Sequence, residues 1–125
     1  MISQWMNNGC VTEYVVKNPG CDRLKLCVQL ACAIAFLHTH NVVHGDIKGR
    51  NVLVSDTGTI MVTDFGVSMM DHQEIEFTAT KSRGGTLRWQ PPEILRMETD
   101  STKKADVYAL SMTMIVGQYF ILLWR

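Results

Sequence analysis

Apolar residues between Asp22 and Asn41 recur with the 3.6-residue period of a helix. Leu26, Leu30, Ala33 and Leu37 share one face, joined by Cys27 and Ile34. Asp22 is placed to cap the first turn, and His38, Thr39, His40 and Asn41 end the run. Ahead of it, residues 1–6 predict a short extended segment and Asn7-Asn8-Gly9 a turn. A short helix is expected from Val11 to Lys17, stopped by Asn18-Pro19-Gly20. Downstream, Val52-Leu53-Val54 and Ile60-Met61-Val62 flank the turn text Ser55-Asp56-Thr57-Gly58, which predicts a β-hairpin. From Val67 to Arg88 the text turns polar and irregular, the pattern of a long functional loop. Pro91-Pro92 opens a short helix, and Asp106 is expected to start a last, apolar one.

Composition narrows the class. The chain has 125 residues, enough for one domain or a piece of one. With 46% hydrophobic and 19% charged residues it can bury a core, which excludes a disordered chain. Lys+Arg and Asp+Glu both total 12, so no single-sign surface for nucleic acid or an anionic membrane is expected. Cys10, Cys21, Cys27 and Cys32 form no Cys-x-x-Cys pair, and no histidine stands at zinc-finger distance. Three of them fall in the stretch around the long helix. They read as reduced, buried packing residues of an intracellular, cytoplasmic protein. The N-terminal text lacks the basic flank and apolar core of a signal peptide. The apolar stretch 109–124 is interrupted by Ser111, Gly117 and Gln118, so a buried helix is expected rather than a span of about 20 apolar residues.

The chemistry concentrates on one loop. Asp46, Lys48 and Asn51 lie between the long helix and the hairpin, and Asp64 follows the hairpin. A hairpin brings its ends together, so Asn51 and Asp64 should be neighbours. A carboxylate and a carboxamide oxygen facing one point suit Mg²⁺. Asp46 beside them can accept a proton from an attacking hydroxyl, and Lys48 supplies charge for a phosphate oxygen. Base, cation and metal are the parts phosphoryl transfer needs. Each has a plainer reading: Asn51 as a turn former, Lys48 as a solvated lysine, and Trp5, Met6 and Leu53 as core. His72, Ser68, Thr78, Thr80, Ser82, Arg83, Thr86 and Arg88 read as ordinary loop composition.

The same residues carry a family resemblance. His44-Gly45-Asp46-Ile47-Lys48-Gly49-Arg50-Asn51 resembles the catalytic loop of protein kinases, and Asp64-Phe65-Gly66 resembles their metal motif. Pro91-Pro92-Glu93 and Asp106-Val107-Tyr108 resemble two further motifs of that family, in family order and spacing. The text from Gly85 to Glu93 is similar to the tyrosine-kinase-like group of serine/threonine kinases, and Lys48 and Thr86 fit that specificity. The resemblance implies an α+β fold, a fragment of the large, C-terminal kinase lobe. That fragment is mostly helical, with a small β-hairpin carrying the site. Residues 1–125 would hold the hinge, the catalytic loop, the activation segment and the start of the central helix. Ser3 would be the gatekeeper, and Gln4, Trp5 and Met6 the hinge. The backbone of Gln4 and Met6 would bind the adenine edge of ATP, with Leu53 as pocket floor. Asp46 would be the catalytic base and Lys48 the γ-phosphate contact. Asn51 and Asp64 would hold Mg²⁺. His44 would brace the Asp64 turn, and Asp106 would anchor the loop backbone. The implied reaction is ATP-dependent phosphorylation of serine or threonine hydroxyls on a protein substrate in signal transduction.

Three departures shape the expectation. These residues include no Gly-rich loop, no strand lysine and no partner glutamate of a small lobe. Ser111 replaces an expected glycine, and the arginine that pairs with Glu93 would lie past Arg125. An unpaired buried Glu93 would cost about 3–5 kcal/mol. The chain is therefore expected to be a fragment, weakly active or inactive alone, with an exposed apolar C-terminal helix inviting a partner. One alternative is a catalytically dead kinase-like binding or regulatory module. Another is a non-functional truncation, which predicts a broad or absent melt. The third departure is Gly45, where the family's usual arginine would pair with an activation-loop phosphate. Activity should accordingly be indifferent to phosphatase treatment; a large loss on dephosphorylation would refute this.

Overall fold

The computed structural model describes residues 5–66, 68–70 and 86–119. Ser3, Gln4, His72, Thr78, Thr80, Ser82 and Arg83 lie outside the described residues.

Two helices build the first half. α1 spans Val11–Lys17, with Glu13 and Lys17 one turn apart at 3.7 Å. Asn18 closes it, its N–H donating to the Tyr14 carbonyl before Pro19 stops the helix. α2 spans Arg23–Thr39, and the Asp22 carboxylate accepts from the Lys25 N–H as N-cap. The face predicted by periodicity is the buried one, led by Leu26, Leu30 and Ile34; Ala33 and Leu37 are half-buried at its margins. The opposite face also carries apolar residues, and Leu24, Val28 and Phe36 are exposed.

The hairpin follows the expected register. β2 (Val52–Val54) pairs antiparallel with β3 (Ile60–Val62), with Leu53 opposite Met61. The Gln29 side chain accepts from the Ile60 N–H at 2.8 Å, docking β3 on α2. A second ladder lies outside the sequence expectation. β1 (Val42–Val43) pairs antiparallel with β4 (Met69–Met70), inside the stretch whose composition predicts loop. Two-residue strands are too short for an alternation to register.

The rest closes the core. α3 spans Pro92–Leu95 with proline in its first turn, as expected. α4 spans Lys103–Tyr119, starting three residues before the expected Asp106. The cause is Thr102, whose hydroxyl accepts from the Ala105 N–H and starts the helix ahead of its apolar residues. One cluster joins Val15 of α1, Leu26, Leu30 and Ile34 of α2, Ile47, Val52, Ile60 and Ala109 of α4. Val107, Tyr108 and Ile115 of α4 are exposed, the apolar surface expected there. The cysteines depart from the sequence reading. Cys21 precedes α2, Cys10, Cys21 and Cys27 are half-buried, and Cys32 is exposed. Among the described residues no helix is long and apolar enough to cross a membrane.

One contact locks α1 to the 44–51 loop. Gly49 opens a 3₁₀ turn (Gly49–Asn51), and a Cβ there would collide with the Thr12 hydroxyl. The Thr12 Cβ stands at an ordinary 3.5 Å from that position. Gly49→Ala should therefore destabilise the protein by about 1–3 kcal/mol through overpacking. Adding Thr12→Ala should restore most of the loss, measured as non-additivity in urea unfolding.

Candidate active site

The site grows from Asp106 at the first turn of α4. Its carboxylate is 1% exposed. Oδ1 accepts from the Gly45 N–H and Oδ2 from the His44 N–H, each at 2.9 Å. Oδ2 also accepts from His38 Nε2 of α2 at 2.9 Å. A buried carboxylate is tolerable only when surrounded by donors in this way. Gly45 adopts φ +81, a left-handed conformation that glycine takes without steric penalty.

His44 is fully buried. The Asp46 N–H donates to its Nδ1 at 3.2 Å, so the ring proton lies on Nε2, which donates to the Thr63 carbonyl at 3.1 Å. The ring also lies against Phe65, with centroids 4.9 Å apart. His44 thus braces the turn that carries Asp64. The Ser68 hydroxyl closes the far side of that turn by donating to the His44 carbonyl at 3.1 Å.

Asp46 follows, with its neighbour Ile47 driven into the core at 1% exposure. Asp46 Oδ2 accepts from Lys48 Nζ at 2.6 Å and from Asn51 Nδ2 at 3.0 Å. Among the described residues, Oδ1 has only a long 3.4 Å contact with the Thr86 N–H. Lys48 also donates to the Thr86 hydroxyl at 3.0 Å, and of its three N–H bonds one is left over among the described residues. Asn51 is buried, and its Nδ2 also donates to the Asp46 carbonyl at 2.8 Å. With both amide hydrogens engaged, Oδ1 remains as an acceptor.

Asp64 is joined to this group through the main chain. The Thr63 N–H donates to the Asn51 carbonyl at 2.9 Å, continuing the β2–β3 ladder. Asp64 itself adopts φ +66, a strained value for a residue with a Cβ, and it is exposed to solvent. Such strain is concentrated at functional positions in proteins. Among the described residues no cluster of three or more His, Cys, Asp or Glu forms a metal cage. The donor set here fits Mg²⁺ instead: one carboxylate and one amide oxygen, the remaining positions falling to phosphate and water oxygens.

The sequence-predicted residues fall into three groups. Asp46, Lys48 and Asn51 are in direct contact, and Asp64 stands beside them by its backbone. Met6 is buried and Leu53 half-buried, on one connected edge: the Gly9 N–H donates to the Met6 carbonyl, and the Val54 N–H to the Gly9 carbonyl. Trp5 is 82% exposed, which excludes its reading as core. Gln4 lies outside the described residues. Sequence reasoning misses His38, Ser68 and the role of Thr86. His38 carries no signal, since its partner is 68 residues away. Thr86 carries a partial one through its motif.

Comparison with known proteins identifies the family of the chain. The family model described as protein tyrosine and serine/threonine kinase matches residues 1–116, and the chain belongs to that family. It is 37% identical over 87 residues to the mitogen-activated protein kinase kinase kinase ANP1 of Arabidopsis thaliana, covering 70% of this chain and 13% of that protein. It is 30% identical to the serine/threonine-protein kinase STY46 of Arabidopsis thaliana, over 100% of this chain and 20% of that protein. It is also 32% identical to the discoidin domain-containing receptor tyrosine kinase B of Caenorhabditis elegans, over 90% of this chain and 14% of that protein. The chain thus spans between 13% and 20% of the length of these relatives. Protein phosphorylation is the reaction of the family as a whole, on hydroxyls of both kinds.

Asp106 offers a direct check on the scaffold. Asp106→Ala strands two loop N–H groups, each costing about 1–3 kcal/mol, and should destabilise the protein by about 3 kcal/mol or more in urea unfolding. Asp106→Asn keeps one acceptor oxygen and should lose less.

Proposed function

We propose that the chain carries the catalytic half of an ATP-dependent protein kinase site acting on serine and threonine hydroxyls. In this reading residues 1–125 are the hinge and first half of the large lobe, with the site on the edge of its small hairpin. The observation that carries it is the Asp46 carboxylate, with one oxygen clamped by Lys48 and Asn51 and the other holding, among the described residues, only a 3.4 Å contact with the Thr86 N–H.

The clamped oxygen orients the carboxylate, and Oδ1 accepts the proton of the substrate hydroxyl as its oxygen attacks the γ-phosphorus. The bond to the bridging oxygen breaks, and ADP leaves with that electron pair. Lys48 uses its third N–H on a γ-phosphate oxygen. Asn51 Oδ1 and the Asp64 carboxylate would hold Mg²⁺, which supplies neutralisation of phosphate charge when bound. Met6 and Gln4 would offer main-chain groups to the adenine edge, with Leu53 beneath the ring. Serine/threonine specificity is supported by Thr86, whose hydroxyl and N–H crowd Lys48 and Asp46.

A radiolabelled phosphotransfer assay followed by phosphoamino-acid analysis tests this. Any label this chain transfers should be weak, appear on serine or threonine, require Mg²⁺ and be lost in Asp46→Ala. Label on tyrosine would overturn the specificity, and transfer unaffected by Asp46→Ala would overturn the role of the site.

A further inference from the structure

Two segments meet across the Asp46 cleft. Lys48 reaches from the 44–51 loop to the Thr86 hydroxyl, and the Thr86 N–H lies against Asp46. Each segment carries an arginine two residues past that meeting point: Arg50 after Lys48, and Arg88 after Thr86. Two residues span at most about 7 Å of chain, so both arginines belong to the lips of the cleft.

Local structure leaves both of them in water. Arg50 sits in the 3₁₀ turn between Gly49 and Asn51, which are both buried. Arg88 sits in a second 3₁₀ turn (Leu87–Trp89), whose Trp89 packs against the apolar cluster. With these neighbours turned inward, Arg50 and Arg88 are exposed. Neither enters an ion pair among the described residues. Asp46 is held by Lys48, and Glu13, on the helix packed against the Gly49–Asn51 turn, stands 3.7 Å from Lys17. The chain as a whole is neutral, with 12 basic and 12 acidic residues, so the positive charge is local to this rim. A guanidinium is a planar fork of donors that matches a carboxylate. Charge complementarity of this kind selects among partners more than it tightens binding.

We propose that Arg50 and Arg88 select protein substrates whose serine or threonine is flanked by acidic residues, each guanidinium pairing with a carboxylate beside the accepting hydroxyl. The assignment rests on the phosphotransfer reading of the Asp46 cleft and adds to it the class of segment that enters.

The probes are peptides with a central serine flanked on both sides by Glu, Gln or Lys. They are titrated at low salt without nucleotide and followed by the backbone amide resonances of the protein. The Glu peptide should bind about three- to tenfold more tightly than the Gln peptide, the worth of two exposed ion pairs. The Lys peptide should bind less tightly than either. Raising the ionic strength to about 1 M should erase most of the difference. Arg50→Gln combined with Arg88→Gln should level the Glu and Gln peptides, and Arg50→Glu combined with Arg88→Glu should favour the Lys peptide. Both arginines are exposed, so these variants should keep the urea unfolding midpoint of the unaltered protein. Equal binding of the Glu and Gln peptides to the unaltered protein overturns the proposal without recourse to any variant. A preference that survives in the folded glutamine double variant belongs to another part of the surface and overturns it as well. Because the preference is read from binding, its failure is distinct from a failure of phosphotransfer, which shows only in the label assay.

Discussion

A single buried carboxylate organises this molecule. Asp106 gathers two backbone N–H groups of the 44–51 loop and the imidazole of His38 around its two oxygens. α4, α2 and the loop therefore meet at one buried charged point beside the apolar cluster. The arrangement is self-consistent in energy: the carboxylate needs donors to be buried, and the loop N–H groups need acceptors. Neither could be removed from water alone. From this point order spreads outward through His44, which is held by the loop and in turn holds Thr63 and Phe65.

The alternation of the loop explains how Asp46, the base proposed for this site, stands on a rigid footing. Ile47 is packed into the hydrophobic cluster, while Asp46 and Lys48 on either side of it point to each other across the cleft. Asn51, two residues past Gly49, turns both amide hydrogens back on Asp46. The side chain that would do chemistry is thus fixed by a core residue beside it and by an amide across from it. Such preorganisation is what phosphoryl transfer asks of a protein, because most of the work is placement.

Much of this is legible in the sequence, and the failures have physical causes. α1, α2 and the hairpin are readable because their apolar periods and turn residues are local. The approach of Asn51 to Asp64 is readable because hairpin closure is geometry. The β1–β4 ladder is not, since its strands have two residues each and are brought together by tertiary structure. The start of α4 is hard to place because Lys103 and Lys104 hide the first turn behind polar text, and only the Thr102 cap marks it. Cys32 reads as buried because thiols in an apolar helix are commonly packed, but it lies off the face of Leu26, Leu30 and Ile34 and is exposed. His38 is invisible as a partner of Asp106 for a related reason: long-range pairing leaves no trace in spacing.

The short β1–β4 ladder bears on how this region can vary. The turn around Asp64 is fastened at both ends, by Thr63 on Asn51 before it and by Ser68 and the ladder after it. Strand pairing reads position in steps of two, so adding or removing one residue between Thr63 and β4 would swap which side of the ladder each later residue occupies. Apart from Asp64 and Phe65, a change in the length of this stretch would disturb it more than a side-chain exchange.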